Sequence, residues 1–406
     1  MRQRDDSDSG VSVQMNLERV SCSMHADYSD PAIVGPEVRL LCELIGRRNV
    51  SPPSADRRAT LLECACAHRV ERLALRAIRV RGDAPDLWFG ATAADPGDEQ
   101  AWAVLDAVRT RELHTVATTL AAITGAKPIV FKGAALAHSH YPAPWLRPRL
   151  DTDIVISPHS VRHSLAALET IGYAHAVSIS GELVSSQASL TRIDSFGVEH
   201  ALDLHWKIAN WQVVAAVLSH EEIASRAVAL PAAGADARAA SDRDALLIAC
   251  LHRSAHHRDS GELLWLYDIH LLAGRMSAAD WTESVAAARR GKVKALLRRS
   301  LSLAIDRFQT HVPGDVLRAL DTSADAVREP SAVYLSRDVR LVDGLMSDLR
   351  ALPPRKRARL IAEHLFPPAN YIRQRYHAHS PLSMAFGYVR RIALGLPRWF
   401  APRNDS

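Results

Sequence analysis

The chain is poor in cysteine, in long apolar runs and in charge of one sign. Its 406 residues include five cysteines, Cys22, Cys42, Cys64, Cys66 and Cys250, an odd number at irregular spacing. That pattern argues against a disulfide framework and fits free thiols in a reducing compartment. Apolar runs such as 245–251 fall far short of the ~20 residues that a transmembrane helix needs. The opening MRQRDDSDSG has early acids and no apolar segment, so no secretory signal is expected and the expected location is the cytoplasm. Lys and Arg number 50 against 45 Asp and Glu, an excess too small to demand a nucleic-acid or membrane partner by itself. Hydrophobic residues at 48% and charged residues at 23% are ordinary for a globular protein and exclude a mainly disordered or fibrous chain. The length suits two or three domains.

What is present is helix at both ends and a different texture between. Residues 1–35 are polar, rich in Ser and Asp, and without periodicity, which predicts a disordered tail. From Pro36 to Val80 apolar residues recur at three- and four-residue steps, and a helix is predicted over 99–124, closed by Gly125. Cys64, Cys66 and His68 lie in an Ala-rich helical segment, where residues two apart point to different faces, so they read as packing residues and not as a zinc site. Then come a short apolar strand at 128–131, a turn at Lys132-Gly133 and a short helix to His140. A strand at 150–156 follows, then a helix over 159–171 and a further strand at 198–206. In that last strand Leu202, Leu204 and Trp206 face one way and Asp203 and His205 the other. This order predicts a small mixed sheet backed by helices. From Asp242 the segments 242–257, 261–275, 278–308 and 314–321 read as helix. Between Arg355 and Arg403 there are ten Lys/Arg and one acid, Glu363.

The most informative triplet is Asp151-Thr-Asp153. In a strand these two carboxylates share one face, their backbones about 6–7 Å apart. Like charges so placed repel, and a divalent cation held by hard oxygen ligands relieves the repulsion; magnesium suits, with manganese as the substitute. By the repulsion alone, Asp153→Asn is expected to raise stability without metal. Asp203 on the later strand is the candidate third carboxylate. Lys132 and Gly133 follow a strand and open a helix, where backbone amides can meet a phosphate. Arg147 and Arg149 are candidates for bidentate phosphate contacts, or simply solvated. His205 shares the face of Asp203. His252 and His256 are four apart on one helix face with no third ligand evident, and Asp268 on the next helix is placed to meet His252 and help wall a pocket.

The order strand, glycine turn, helix, Asp-x-Asp strand and later Asp resembles the minimal nucleotidyltransferase fold, the superfamily of DNA polymerase beta. Within it the chain is similar to the group called uncharacterised nucleotidyltransferases. The residues that carry the resemblance are Val130-Phe-Lys-Gly-Ala-Ala-Leu136, Leu146-Arg-Pro-Arg-Leu-Asp-Thr-Asp-Ile-Val155, Leu202-Asp-Leu-His-Trp206, and His252 ahead of Leu264-Trp-Leu-Tyr-Asp-Ile269. Ala134 stands where the superfamily usually has Ser or Gly, so a phosphate-touching hydroxyl is missing there.

The resemblance implies an α+β protein with a small mixed-sheet nucleotidyltransferase core at 126–210. N-terminal helices at 36–125 and a helical C-terminal domain at 211–354 would flank it, with a basic helical region at 355–406 beyond. It implies a magnesium-dependent enzyme that moves a nucleoside monophosphate from a nucleoside triphosphate such as ATP to a hydroxyl of an acceptor. The acceptor would be a small molecule, a peptide or RNA, in natural-product or polysaccharide tailoring. Asp151, Asp153 and Asp203 would hold metal, Lys132, Gly133, Arg147 and Arg149 would bind the nucleotide, and His205, His252 and Asp268 would line the pocket. Two alternatives stand beside it: a nucleotide-binding regulatory module with a degenerate transferase core, and a transferase that modifies RNA.

Overall fold

In the computed structural model the described residues are 35–90, 96–175, 181–323, 328–336 and 339–400. The tail expected at 1–35 lies outside them, Gly35 excepted. By its contacts the chain forms two compact units, Met1–Ala94 with Gly261–Leu263, and Asp95–Ser260 with Leu264–Ser406.

The first unit is helical: α1 (Pro36–Ile45), α2 (Arg58–Ala67), α3 (Glu71–Val80) and α4 (Pro85–Phe89). The helical pattern up to Val80 is thus divided. Pro52 and Pro53 lie between α1 and α2, and Arg69, at φ 54°, turns the chain between α2 and α3. The segment around Pro85, which reads as loop, starts a helix, because proline at a first-turn position gives up no intrahelical hydrogen bond. Leu41, Leu44, Leu61, Ile78, Trp88 and Phe89 form its buried interior. Cys64 is buried with them, and the loss of hydration pushes its thiol up to about 12.

The second unit is built on a seven-stranded sheet. Its strands are β1 (Ile129–Phe131), β2 (Asp151–Val155), β3 (Ala174–His175), β4 (Gln187–Ile193), β5 (Glu199–His205), β6 (Val228–Ala229) and β7 (Arg238–Ala239), in the order β3-β4-β5-β2-β1-β7-β6. β2 runs parallel to β5 and antiparallel to β1. The side chains divide by the two-residue period of a strand. Val130, Ile154, Ala188, Leu190, Leu202 and Leu204 face one way, into the core formed with α5 (Pro96–Thr124) and α7 (Val161–Thr170). The opposite face carries Phe131, Asp153, Asp203 and His205, with α6 (Lys132–Ser139) leaving the end of β1. Gly125 at φ 67° ends α5. Gly172 at φ 92° ends α7, where the Tyr173 N–H donates to the Leu168 carbonyl at 3.1 Å. A left-handed residue costs glycine least, which is why both helices stop there.

The helical remainder begins with α8 (Asp242–Leu251), continued by a π-helical turn over His252–His256. α9 (Leu263–Ala273), α10 (Ala278–Gly291) and α11 (Lys294–Phe308) follow. The stretch 278–308, which reads as one helix, breaks at Lys292, at φ 55°. The wholly buried guanidinium of Arg253 ties this part together through Asp259 at 2.6 Å, Ser300 at 3.0 Å and the Ser260 carbonyl at 2.6 Å. The chain closes with α12 (Leu341–Ala351), α13 (Pro354–Leu365), α14 (Ala369–Tyr376) and α15 (Pro381–Phe400). The architecture is α+β.

Candidate active site

Parallel register sets Asp153 directly opposite Asp203, and Val155 opposite His205, on the polar face of the sheet. One metal-ligating atom from each of Asp153, Asp203 and His205 lies within 4.8 Å of the others. Among the described residues they form the group of His, Cys, Asp and Glu side chains close enough to share a metal ion. The two carboxylates come together because β2 and β5 are hydrogen-bonded neighbours. Asp151 points to the same face one step along β2, at its exposed end, and lies outside that group. The loss of hydration and the nearby carboxylate of Asp153 push its own carboxyl above the ordinary range.

Asp153 is almost completely buried. Lys132 donates to its Oδ1 from Nζ at 2.7 Å, and His205 donates to the same oxygen from Nε2 at 2.8 Å. Burial alone would raise the carboxyl, but the Lys132 ammonium and the His205 hydrogen bond outweigh it and hold Asp153 well below the usual carboxylate range. The repulsion between Asp151 and Asp153 is therefore not the governing influence on Asp153, and Asp153→Asn is now expected to lower stability, since it gives up the bonds from Lys132 and His205 to a charged oxygen. Burial, with the charge of Lys132, lowers the His205 pKa, so the ring is neutral near pH 7. Its buried Nδ1 has no hydrogen-bond partner among the described residues. Phe131 meets the ring edge to face at 4.9 Å. Asp203 is oriented from β4 by Gln187 Nε2 at 2.8 Å and Ser189 Oγ at 2.6 Å. Neither Gln187 nor Ser189 stood out in the sequence. The signal was there in the alternation of Gln187, Ser189 and Thr191 with Ala188 and Leu190.

The Lys132-Gly133 turn has its own geometry. Lys132 has φ 52°, a conformation that disfavours a side chain. A residue held in such a region costs on the order of 1–3 kcal/mol and is enriched at functional sites. Gly133 has a conventional φ but no room: a Cβ there would lie 2.3 Å from Arg147 Nη1. The space where a side chain would stand is filled by a guanidinium.

Arg147 reaches there because it is clamped. Its Nε and Nη2 donate to both oxygens of Asp268, the Nη2 bond at 2.7 Å, and Tyr141 Oη donates to Asp268 at 2.6 Å. Burial opposes the charge on Arg147, and Asp268 more than restores it. In the structure Arg147 makes its bidentate contact with Asp268. The expectation that Asp268 meets His252 changes: Asp268 meets Arg147 and Tyr141 instead. Arg149 is likewise buried and bonded to Asp106 of α5 at 2.5 Å. His252 instead pairs through Nε2 with His257 at 3.0 Å and stacks on His256 at 4.8 Å between ring centres. Burial, then the charge of Lys132, lowers the His252 pKa well below its ordinary value.

Three carboxylates and one ammonium thus share a face whose imidazoles are neutral. Asp153, Asp203 and His205 could hold a metal ion; a carboxylate-rich donor set suits hard divalent cations, and an imidazole widens the choice toward softer ones. The protein-family model described as "Uncharacterised nucleotidyltransferase" matches residues 55–309, which take in every residue of this face. Among curated proteins none matches the chain. No helix among the described residues is long and apolar enough to cross a membrane.

Proposed function

The chain belongs to the uncharacterised nucleotidyltransferase family, and on that footing we propose that it moves a nucleoside monophosphate from a nucleoside triphosphate to a hydroxyl of an acceptor and releases pyrophosphate. The observation that carries the reading is the cross-strand pair of Asp153 and Asp203, with His205 beside it and Lys132 at the same oxygen.

Asp153, Asp203 and His205 would hold a divalent cation, magnesium or manganese, with Asp151 at the open end to share it. When bound, the ion supplies positive charge to the phosphate oxygens and makes the acceptor hydroxyl more acidic. The remaining work falls to the chain. The Lys132 ammonium leaves Asp153 for the triphosphate, one cation replacing another at that carboxylate. The first amides of α6, Gly133 among them, have no intrahelical acceptor and can donate to phosphate oxygens. Gln187 and Ser189 fix Asp203 so that it can take the acceptor's proton. The acceptor oxygen bonds to the α-phosphorus as the bond to the bridging oxygen breaks, and pyrophosphate leaves with the electron pair. Catalysis of this kind is mostly positioning and electrostatics. Arg147, held by Asp268, packs against Gly133 and supports the turn.

The test is incubation with α-labelled triphosphates, magnesium and a panel of hydroxyl-bearing acceptors, with pyrophosphate release measured alongside. Release and label transfer by the native chain, absent in Asp153→Asn, are the expected results. Equal release by both proteins overturns the assignment.

One observation favours a second reading, a nucleotide-binding module without transfer. Lys132 already neutralises Asp153, as a permanent internal counter-ion would. Nucleotide binding without pyrophosphate release, unchanged in Lys132→Ala, would select that reading.

A further inference from the structure

The basic C-terminal region ends in α15, a 20-residue helix with two unlike faces. One face is pinned inward. Gly387 packs so closely on Ile372 that a Cβ would lie 2.7 Å from it. Tyr388 Oη donates to the Pro367 carbonyl at 2.9 Å, and Arg391 Nη1 donates to the His364 carbonyl at 2.7 Å. Residues 387, 388 and 391 lie on one side of a helix with 3.6 residues per turn, and 382, 386, 389 and 400 lie on the opposite side. That opposite side is apolar and open: Leu382 is 85% exposed, Phe386 67%, Val389 64% and Phe400 57%. A row of large apolar side chains along such a helix is not how a monomer ordinarily presents itself to water.

We propose that this face lies on an anionic membrane surface, with the helix in the plane of the interface and its apolar row sunk among the acyl chains. The occupant is argued from charge. The stretch from Arg355 to Arg403 holds ten Lys/Arg and one acid. Of these, Arg373, Arg375 and Arg390 are exposed on α14 and α15. A helix with apolar residues on one face and basic residues around it is the form that binds acidic lipid headgroups without spanning the bilayer. RNA would use the positive charge but would leave the aliphatic row of Leu382 and Val389 in water. A second copy of the chain would cover the row but bring a second set of like charges against the first.

Flotation of the full chain with vesicles of phosphatidylcholine alone, or with about a third phosphatidylserine, tests the proposal. The chain should float with the anionic vesicles, less so in 0.5 M salt, and weakly with the neutral ones. Phe386→Glu with Val389→Glu should lower partitioning about tenfold or more, with an unchanged circular dichroism spectrum, since both positions are exposed. The triple variant Arg373→Gln, Arg375→Gln, Arg390→Gln should lower it on anionic vesicles and abolish the salt dependence. Failure of the native chain to float with anionic vesicles overturns the proposal. So does equal flotation of the Phe386/Val389 variant. So does a vesicle-free result in which that variant merely turns a dimer into a monomer, or in which RNA, and not lipid, is bound with the same salt dependence.

Discussion

Two buried ion pairs stand close together in this molecule and are built for different ends. Arg147 and Asp268 meet through three guanidinium bonds, and Tyr141 adds a fourth bond to the same carboxylate. Lys132 and Asp153 meet through one bond, from a residue with a left-handed backbone, beside two further carboxylates. The first pair saturates its acid and shapes the floor of a turn. The second leaves its acid with lone pairs and with negative neighbours that a single ammonium does not balance. A planar fork seals a site, whereas a point charge on a flexible stem can be exchanged. The difference marks which of the two is structure and which is proposed as chemistry.

The largest effect should come from Asp153→Asn on transfer. Removing one charge from the set that would hold the cation should cost about 10²–10³-fold or more in turnover, by analogy with the loss of a single stabilising group at a reacting centre. Pyrophosphate release under saturating triphosphate measures it. Next is the sealed pair. Asp268→Ala leaves the Arg147 guanidinium buried without its counter-ion, and stability should fall by about 3–5 kcal/mol, read from urea unfolding. If Asp268→Ala is nearly silent in stability while Lys132→Ala is severe, the comparison is drawn the wrong way round.

Lys132→Ala should act mainly on ligand. Losing one charged hydrogen bond to the triphosphate is worth about 1.5–3 kcal/mol, which corresponds to a roughly tenfold to hundredfold weaker Kd by calorimetry. Stability should also fall, because Lys132 holds the buried Asp153 through a 2.7 Å bond, but by less than in Asp268→Ala, since His205 still donates to the same oxygen.

A third buried carboxylate sharpens the contrast at the small end. Asp348 has no ion pair among the described residues. It accepts from the Val213 N–H at 3.0 Å, and burial pushes its carboxyl up to about 6. A raised folded-state pKa means that the protonated form is favoured on folding. Its stabilising contribution is full below the unfolded value near ~3.9 and is lost as pH rises through about 6. Asp348→Asn should therefore gain about 1–3 kcal/mol over the native chain at pH 8 and flatten the stability profile between pH 4 and 6. Asp153 has the opposite sign. Its pKa is depressed, so its contribution is present above ~3.9 and lost only as the pH falls through its lower folded value.

The strands that carry the acids were readable from alternation, because one face of the sheet is buried and the other is polar. Leu202, Asp203, Leu204 and His205 announce that directly. β6 and β7 were not, since two-residue strands are too short to show a period. The breaks at Arg69 and Lys292 were missed because a left-handed non-glycine residue carries no compositional mark. At the candidate site, Asp151, Asp153, Asp203, Lys132 and His205 were named from local pattern. The pairing of Arg147 with Asp268 spans 121 residues of chain and is set by packing that no local spacing encodes. That distance is also why Gly133 read as a phosphate seat alone, when the atom facing it belongs to Arg147.

The most direct measurement is the melting midpoint of the native chain and of Asp153→Asn, each with and without magnesium and a mixture of the four triphosphates. Without ligand the variant should melt lower than the native chain, because it loses the Lys132 and His205 bonds to a charged oxygen. Ligand should raise the native midpoint and leave that of the variant where it was, since a ligand stabilises only through its affinity for the folded state. An equal ligand-induced rise in both proteins would contradict a cation and nucleotide site built on Asp153.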